Sequence, residues 1–98
     1  MSSINKLLVI DYKTSHKTRR KEWKIKYDTA FTESFGIDES ALDDLEFESI
    51  LEWDSVGHMG LIAEIEEAFD IELEMDDVID FGSYDKGKGI LKKYNIEI

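Results

Sequence analysis

Trp23, Tyr27, Ala30, Phe31, Ser34 and Phe35 recur at three- and four-residue steps, a spacing that places them on one face of a helix. The pattern predicts a first helix over about 20–35, which Gly36 can terminate. An acidic connection over 36–53 follows, carrying Ile37, Leu42, Leu45, Phe47, Ile50, Leu51 and Trp53; so many apolar residues in a non-periodic stretch read as a loop strapped across the core. Leu61, Ile65 and Phe69 then recur at four-residue spacing, with Ile62 beside them, and give a second helix over about 55–69 whose buried face they form. A short third helix over about 76–81 offers Val78, Ile79 and Phe81. Ser83 caps a fourth, running to about Tyr94 with Tyr84, Ile90, Leu91 and Tyr94 as its apolar positions. Gly87 and Gly89 fall inside that last helix, where each costs about 1 kcal/mol relative to alanine, while Lys92 and Lys93 complement its negative end. The fold class expected is all-α, a four-helix bundle with a long first loop and a short third helix.

The chain's 98 residues, 42% of them hydrophobic, suffice for one small core and too little for two. Without cysteine it has no disulfide framework, no thiol nucleophile and no cysteine metal site, which fits a reducing compartment; any thiol chemistry must be imported. Leu7-Leu8-Val9-Ile10 is far too short for a membrane span or a signal-peptide core, so a cytoplasmic location without stable membrane insertion is expected. Charge divides the chain in three. Residues 1–26 hold eight Lys or Arg and two acids, residues 27–85 hold twenty acids and no Lys or Arg, and residues 86–98 hold four Lys and one acid. The acidic middle excludes nucleic acid as a ligand of the folded core and speeds encounter with partners bearing basic patches. Residues 1–20, with His16 and the start of the basic run Lys17–Lys21, read as a disordered basic extension.

Asp54-Ser55 stands at the start of the second helix. Asp54 has the acceptor for free first-turn N–H groups, so it reads as the N-cap and Ser55 as the first helical residue, open to solvent. A phosphodiester on Ser55 would meet the positive end of the helix dipole. The surface opposite the core face carries Glu64, Glu67, Gly57 and Gly60, with Met59 and Ala63 as exposed apolar positions near Ser55 that, together with Val56, are expected to meet a partner.

Sharper chemistries fail on spacing. Asp54, Ser55 and His58 contain the residue types of a nucleophilic triad, but neighbours on one helical turn do not meet both of its contacts, and no strand-turn-helix elbow with Gly-x-Ser-x-Gly is present. His58 is expected instead to flank whatever Ser55 carries. Asp76, Asp77, Asp80 and Asp85 do not match the ligand positions of a calcium loop, and Lys86-Gly87-Lys88-Gly89 lacks the phosphate-loop pattern. No metal site is expected.

Asp54-Ser55-Val56, then Ile62, Ile65, Glu66, Glu67 and Phe69, then Asp70-Ile71-Glu72-Leu73, together resemble the acyl carrier protein family, and residues from about 21 to 94 follow its pattern throughout. The sequence around Ser55 looks more like stand-alone carriers of specialised pathways: it lacks the Gly-Ala that precedes Asp-Ser in the fatty-acid synthase carrier and the Gly-Gly-x-Ser of peptidyl carriers. The resemblance implies a non-enzymatic carrier domain over 21–98. In such a domain Ser55 bears phosphopantetheine, placed there from coenzyme A by a magnesium-dependent phosphopantetheinyl transferase, and the arm's thiol carries an acyl or aminoacyl group as a thioester. It further implies an acyl- or aminoacyl-loading ligase and a downstream synthase or transferase as partners of a monomeric carrier. The recognition surface it implies is Asp54, Glu66 and Glu67, which Glu64 joins on charge alone. The alternatives are an unmodified acidic module that binds a basic partner through the second helix, and a D-alanyl carrier.

Overall fold

The computed structural model describes residues 20–98; Leu7–Ile10, His16 and all of the expected extension except Arg20 lie outside them. The described residues form four α-helices and no strand: α1 (20–35), α2 (Ser55–Phe69), α3 (Met75–Asp80) and α4 (Tyr84–Lys92). The expected helical bundle with a long first loop and a short third helix is what the chain adopts.

Aromatic burial organises the core. The predicted face of α1 is buried at Tyr27, Ala30, Phe31 and Phe35. Phe31 sits at its centre, with ring centroids 4.9 Å from Tyr27, 5.3 Å from Tyr84 and 5.6 Å from Trp53. Edge-to-face contacts of this kind add to the stabilisation from area burial alone. Gly36 ends α1 at φ 62°, a left-handed conformation that lets the Ile37 N–H turn back to the Thr32 carbonyl at 3.2 Å. The buried phenols find partners: Tyr27 donates to the Tyr84 carbonyl, and the Tyr84 hydroxyl donates to Asp28, which pairs with Lys24 at 2.7 Å. Burial pushes both phenols above the ordinary tyrosine range.

The strap between α1 and α2 differs from the expected one in which residues it buries. Leu42, Leu45 and Trp53 enter the core, but Leu51 is 92% exposed and Phe47 is also exposed. The Glu48 N–H closes onto the Trp53 carbonyl at 2.8 Å with Glu48 at φ 66°, and Leu51 stands in the middle of that turn, facing water. The strap is laced to the α3–α4 junction by Phe47 N–H to the Gly82 carbonyl, 3.0 Å, and Tyr84 N–H to the Leu45 carbonyl, 2.9 Å.

α3 begins one residue before its expected start and ends one before its expected end. α4 starts after its Ser83 cap, as expected, but stops at Lys92 rather than Tyr94, because the chain tightens into three-residue bonds and Asn95 takes φ 66°. Gly87 belongs to the packing: a Cβ there would lie 2.2 Å from the Tyr27 hydroxyl and 2.3 Å from the Phe81 ring, so its lack of a side chain is what lets α4 lie on the aromatic core. Gly89 meets nothing within 4 Å.

Candidate functional site

Trp53 anchors the start of α2. Its indole is fully buried, stacked on Phe35 at 5.3 Å, which fixes the backbone that leads into Asp54 and Ser55. Asp54 is the N-cap, and its Oδ1 accepts from the Gly57 N–H at 2.8 Å. Ser55 is the first residue of α2 and is exposed. Its hydroxyl therefore sits on a rigid, core-anchored turn at the positive end of a fifteen-residue helix.

Gly57 holds this turn together in a way its place on the expected outer surface concealed. A Cβ at Gly57 would come 1.9 Å from the Glu52 carbonyl oxygen, so the helix backbone presses directly on the strap. Gly60, one turn further along, is exposed with open space around it.

Beside Ser55 lies an open apolar groove of about 390 Å³, bordered by Phe47, Met59, Met75, Val78, Ile79 and Phe81, with His58 in its wall. α3 supplies one side of it and α2 the other. Exposed apolar side chains surround the same region: Val56 is 81% exposed, Met59 57%, Met75 73% and Ile79 71%. Periodicity singled out Met59 and Ala63 but could not identify Leu51, Met75 and Ile79 as outward-facing, since turns and six-residue helices carry too few turns to show a face.

His58 is half-buried, and both ring nitrogens are engaged. Trp53 Nε1–H donates to Nδ1 at 2.9 Å, and Nε2 lies 2.8 Å from the Val78 carbonyl oxygen. An indole nitrogen only donates and a carbonyl only accepts, so the two bonds are made together by the tautomer that carries its proton on Nε2. With Asp54 on the Gly57 N–H and His58 bridging Trp53 to Val78, no base is directed at Ser55 from the triad-type residues.

The acids of α2 divide into two kinds. Glu64 and Glu67 are exposed, as is Ala63. Glu66 is half-buried and its Oε2 accepts from the Leu73 N–H at 2.8 Å, tying the end of α2 to the extended segment that follows. This bond depends on Asp70 turning the chain at φ 53°, a conformation no residue pattern announced. On α3, Asp77 is buried and bonded to Lys93 Nζ at 2.8 Å and to the Tyr94 hydroxyl at 2.6 Å. The Lys93 bond, and after it the Tyr94 bond, hold the Asp77 carboxyl below the usual carboxylate range, and the same Asp77 contact raises both Lys93 and Tyr94. Among the described residues no group of acids, histidines or cysteines is arranged to hold a metal ion, and no helix is long and apolar enough to cross a membrane.

A protein-family model described as a phosphopantetheine attachment site matches residues 29–85, more than half of the chain, and that span contains α2, α3 and the groove. No curated protein and no solved structure matches the chain.

Proposed function

The chain belongs to the phosphopantetheine attachment-site family, and on that premise we propose that Ser55 bears the arm and that the cargo is an acyl group with an apolar tail. Domains of this family are carriers that work with partner enzymes such as transferases and synthases; they are not catalytic. Phosphopantetheine, when bound, supplies the thiol that this cysteine-free chain lacks and holds the cargo as a thioester.

The residues present suit that group. Ser55 offers an exposed hydroxyl on the first turn of α2, where the positive end of the helix dipole favours an anion such as a phosphodiester. Asp54, engaged as cap, fixes that turn. The observation that carries the choice of cargo is the groove beside Ser55: its border of Phe47, Met59, Met75, Val78, Ile79 and Phe81 shelters apolar surface and offers no counter-charge to an ammonium. That favours an acyl over an aminoacyl or D-alanyl load.

The partners on this reading are a phosphopantetheinyl transferase using coenzyme A and magnesium, an acyl-loading ligase, and a downstream synthase or transferase, all cytoplasmic. They would meet Val56, Met59 and Ala63 with Glu64 and Glu67 around them, while Glu66 serves the fold. The experiment is intact-protein mass after incubation with coenzyme A, magnesium and a broad-specificity phosphopantetheinyl transferase, with Ser55→Ala as control. The expected result is one added phosphopantetheine, absent from the folded control. No gain in folded wild-type protein, or a gain that survives in Ser55→Ala, overturns the assignment, the first in favour of an unmodified acidic interaction module.

A further inference from the structure

α3 is six residues long and poorly capped by its own sequence. Glu74 makes no side-chain N-cap bond, and a helix this short leaves most of its carbonyls without an intrahelical partner. Val78 and, at the helix end, Phe81 pack on the core, and two polar attachments from outside hold the rest. On one side Asp77 meets Lys93 and Tyr94, whose hydroxyl also accepts from the Glu74 N–H at 3.0 Å; none of these residues borders the groove beside Ser55. On the groove side the attachment is His58, whose Nε2–H meets the Val78 carbonyl.

His58 is itself held in one orientation. Its ring lies against the Trp53 indole at an interplanar angle of 13° and takes the indole N–H, while Phe47 and Phe81 pack edge-on at 5.6 and 6.3 Å. Trp53 is rooted in the α1 core through Phe31 and Phe35. A continuous contact path thus runs from the core through Trp53 and His58 to the backbone of α3, passing through the wall of the groove. The bond to Val78 lies between the two helices that form the groove's sides.

We propose that His58 is a positioning residue for the tethered cargo: by capping α3 from α2 through the Val78 carbonyl, it sets how closely the two walls of the groove beside Ser55 stand. It serves the cargo rather than the attachment chemistry. Losing the bond frees the groove-side edge of α3 while Asp77 still holds the other edge, so the groove opens without the bundle unfolding. The part that concerns cargo rests on the proposed attachment at Ser55; the bond itself does not.

The test therefore has two arms. In the unmodified full chain, long-range proton–nitrogen correlation of the imidazole is expected to show one fixed tautomer with its proton on Nε2; the Nδ1–H tautomer, or averaging between the two, overturns the proposal. Amide exchange is compared in wild type, His58→Phe, which keeps an aromatic ring and loses both bonds, and His58→Gln, which restores a donor toward Val78. Exchange in α3 is expected to rise roughly two- to tenfold in the Phe variant, the range set by one net hydrogen bond, with α1 and α4 unchanged and partial recovery in the Gln variant. Unchanged α3 exchange, or equal acceleration of every helix, makes His58 an ordinary packing residue.

In the second arm, chains enzymatically loaded with decanoyl- or acetyl-phosphopantetheine are exposed to hydroxylamine. Decanoyl release is expected to quicken in His58→Phe and recover in His58→Gln, with acetyl release the same in all three. Equal decanoyl rates overturn the positioning role. Failure to load any of the chains counts against Ser55 attachment and leaves the first arm to decide whether His58 caps α3.

Discussion

Replacing Gly57 and Gly60 by alanine, one at a time, is expected to move stability in opposite directions, although the two lie on the same turn-and-a-half of α2. At Gly57 the new Cβ would stand 1.9 Å from the Glu52 carbonyl oxygen, 3.1 Å from its carbon and 3.4 Å from Asp54 Oδ1. The nearest obstacles are backbone, so the strap must shift. Overpacking of this kind costs about 1–3 kcal/mol, and disturbing the Asp54 cap adds about 1, against about 1 recovered from alanine's helix preference. The net is a loss of about 2 kcal/mol. At Gly60 nothing lies within 4 Å, so alanine should gain its full preference of about 1 kcal/mol. In a domain of this size 1 kcal/mol moves Tm by about 4–8 °C, which separates the two variants by more than 10 °C. Thermal and urea unfolding followed by helical circular dichroism would read the difference, with an unchanged urea slope confirming that the native state stays compact. Stabilisation by both substitutions would refute the claim that α2 rests on the strap at Gly57, and with it the account of how Ser55 is fixed.

α4 offers a parallel pair: Gly87→Ala is expected to destabilise by about 1–3 kcal/mol through collision with Tyr27 and Phe81, and Gly89→Ala to stabilise by about 1, measured by the same melts. Glu66→Lys should lower stability by about 2 kcal/mol because the Leu73 N–H loses a charged acceptor, whereas Glu67→Lys should leave the melt unchanged and slow phosphopantetheine transfer at low salt. Because Asp77 titrates below the usual carboxylate range in the folded chain, its contribution is fully present above the unfolded value of about 3.9 and is lost as pH falls through the folded one. Lys93, raised by the same bond, loses its contribution as pH climbs through its folded value above the lysine range. Asp77→Asn should flatten both ends of the stability profile measured by urea midpoint.

α1 and α2 were legible because each spans several turns, long enough for the three- and four-residue spacing of Tyr27, Phe31, Leu61 and Ile65 to declare a buried face, and because Gly36 and Asp54 mark an end and a beginning by their own local chemistry. The strap was legible only in part. Leu42 and Leu51 are the same residue type in the same aperiodic stretch, yet one is buried and the other is 92% exposed, since a turn closed by Glu48 and Trp53 decides the matter. Gly57 and Gly87 misled for a related reason: a glycine's cost to a helix is local, but the close approach that requires it is made by a residue outside that helix in sequence, Glu52 in one case and Tyr27 with Phe81 in the other. The role of Glu66 hangs on the left-handed turn at Asp70, and that of His58 on a carbonyl twenty positions away. A residue's type and spacing report the face it occupies; they do not report a bond whose partner is set by tertiary approach.

The surroundings of Ser55 combine two features that a small domain ordinarily avoids. Leu51, Val56, Met59, Met75 and Ile79 leave large apolar side chains in water, and the region that carries them holds twenty acids without a single Lys or Arg, which strains the compact state by self-repulsion. The charge offsets the hazard of the apolar patch. Like charge opposes the approach of two such patches, and the same charge draws in a surface of opposite sign and speeds the encounter. Apolar contact then supplies the short-range attraction that charge in water does not. Because one wall of the groove is α3, an element of six residues tied from outside at Asp77 and His58, that wall can shift while α1, α2 and α4 keep their places. A rigid serine, a charged approach and one lightly held wall are a division of labour that suits a domain whose task is to be bound, emptied and bound again.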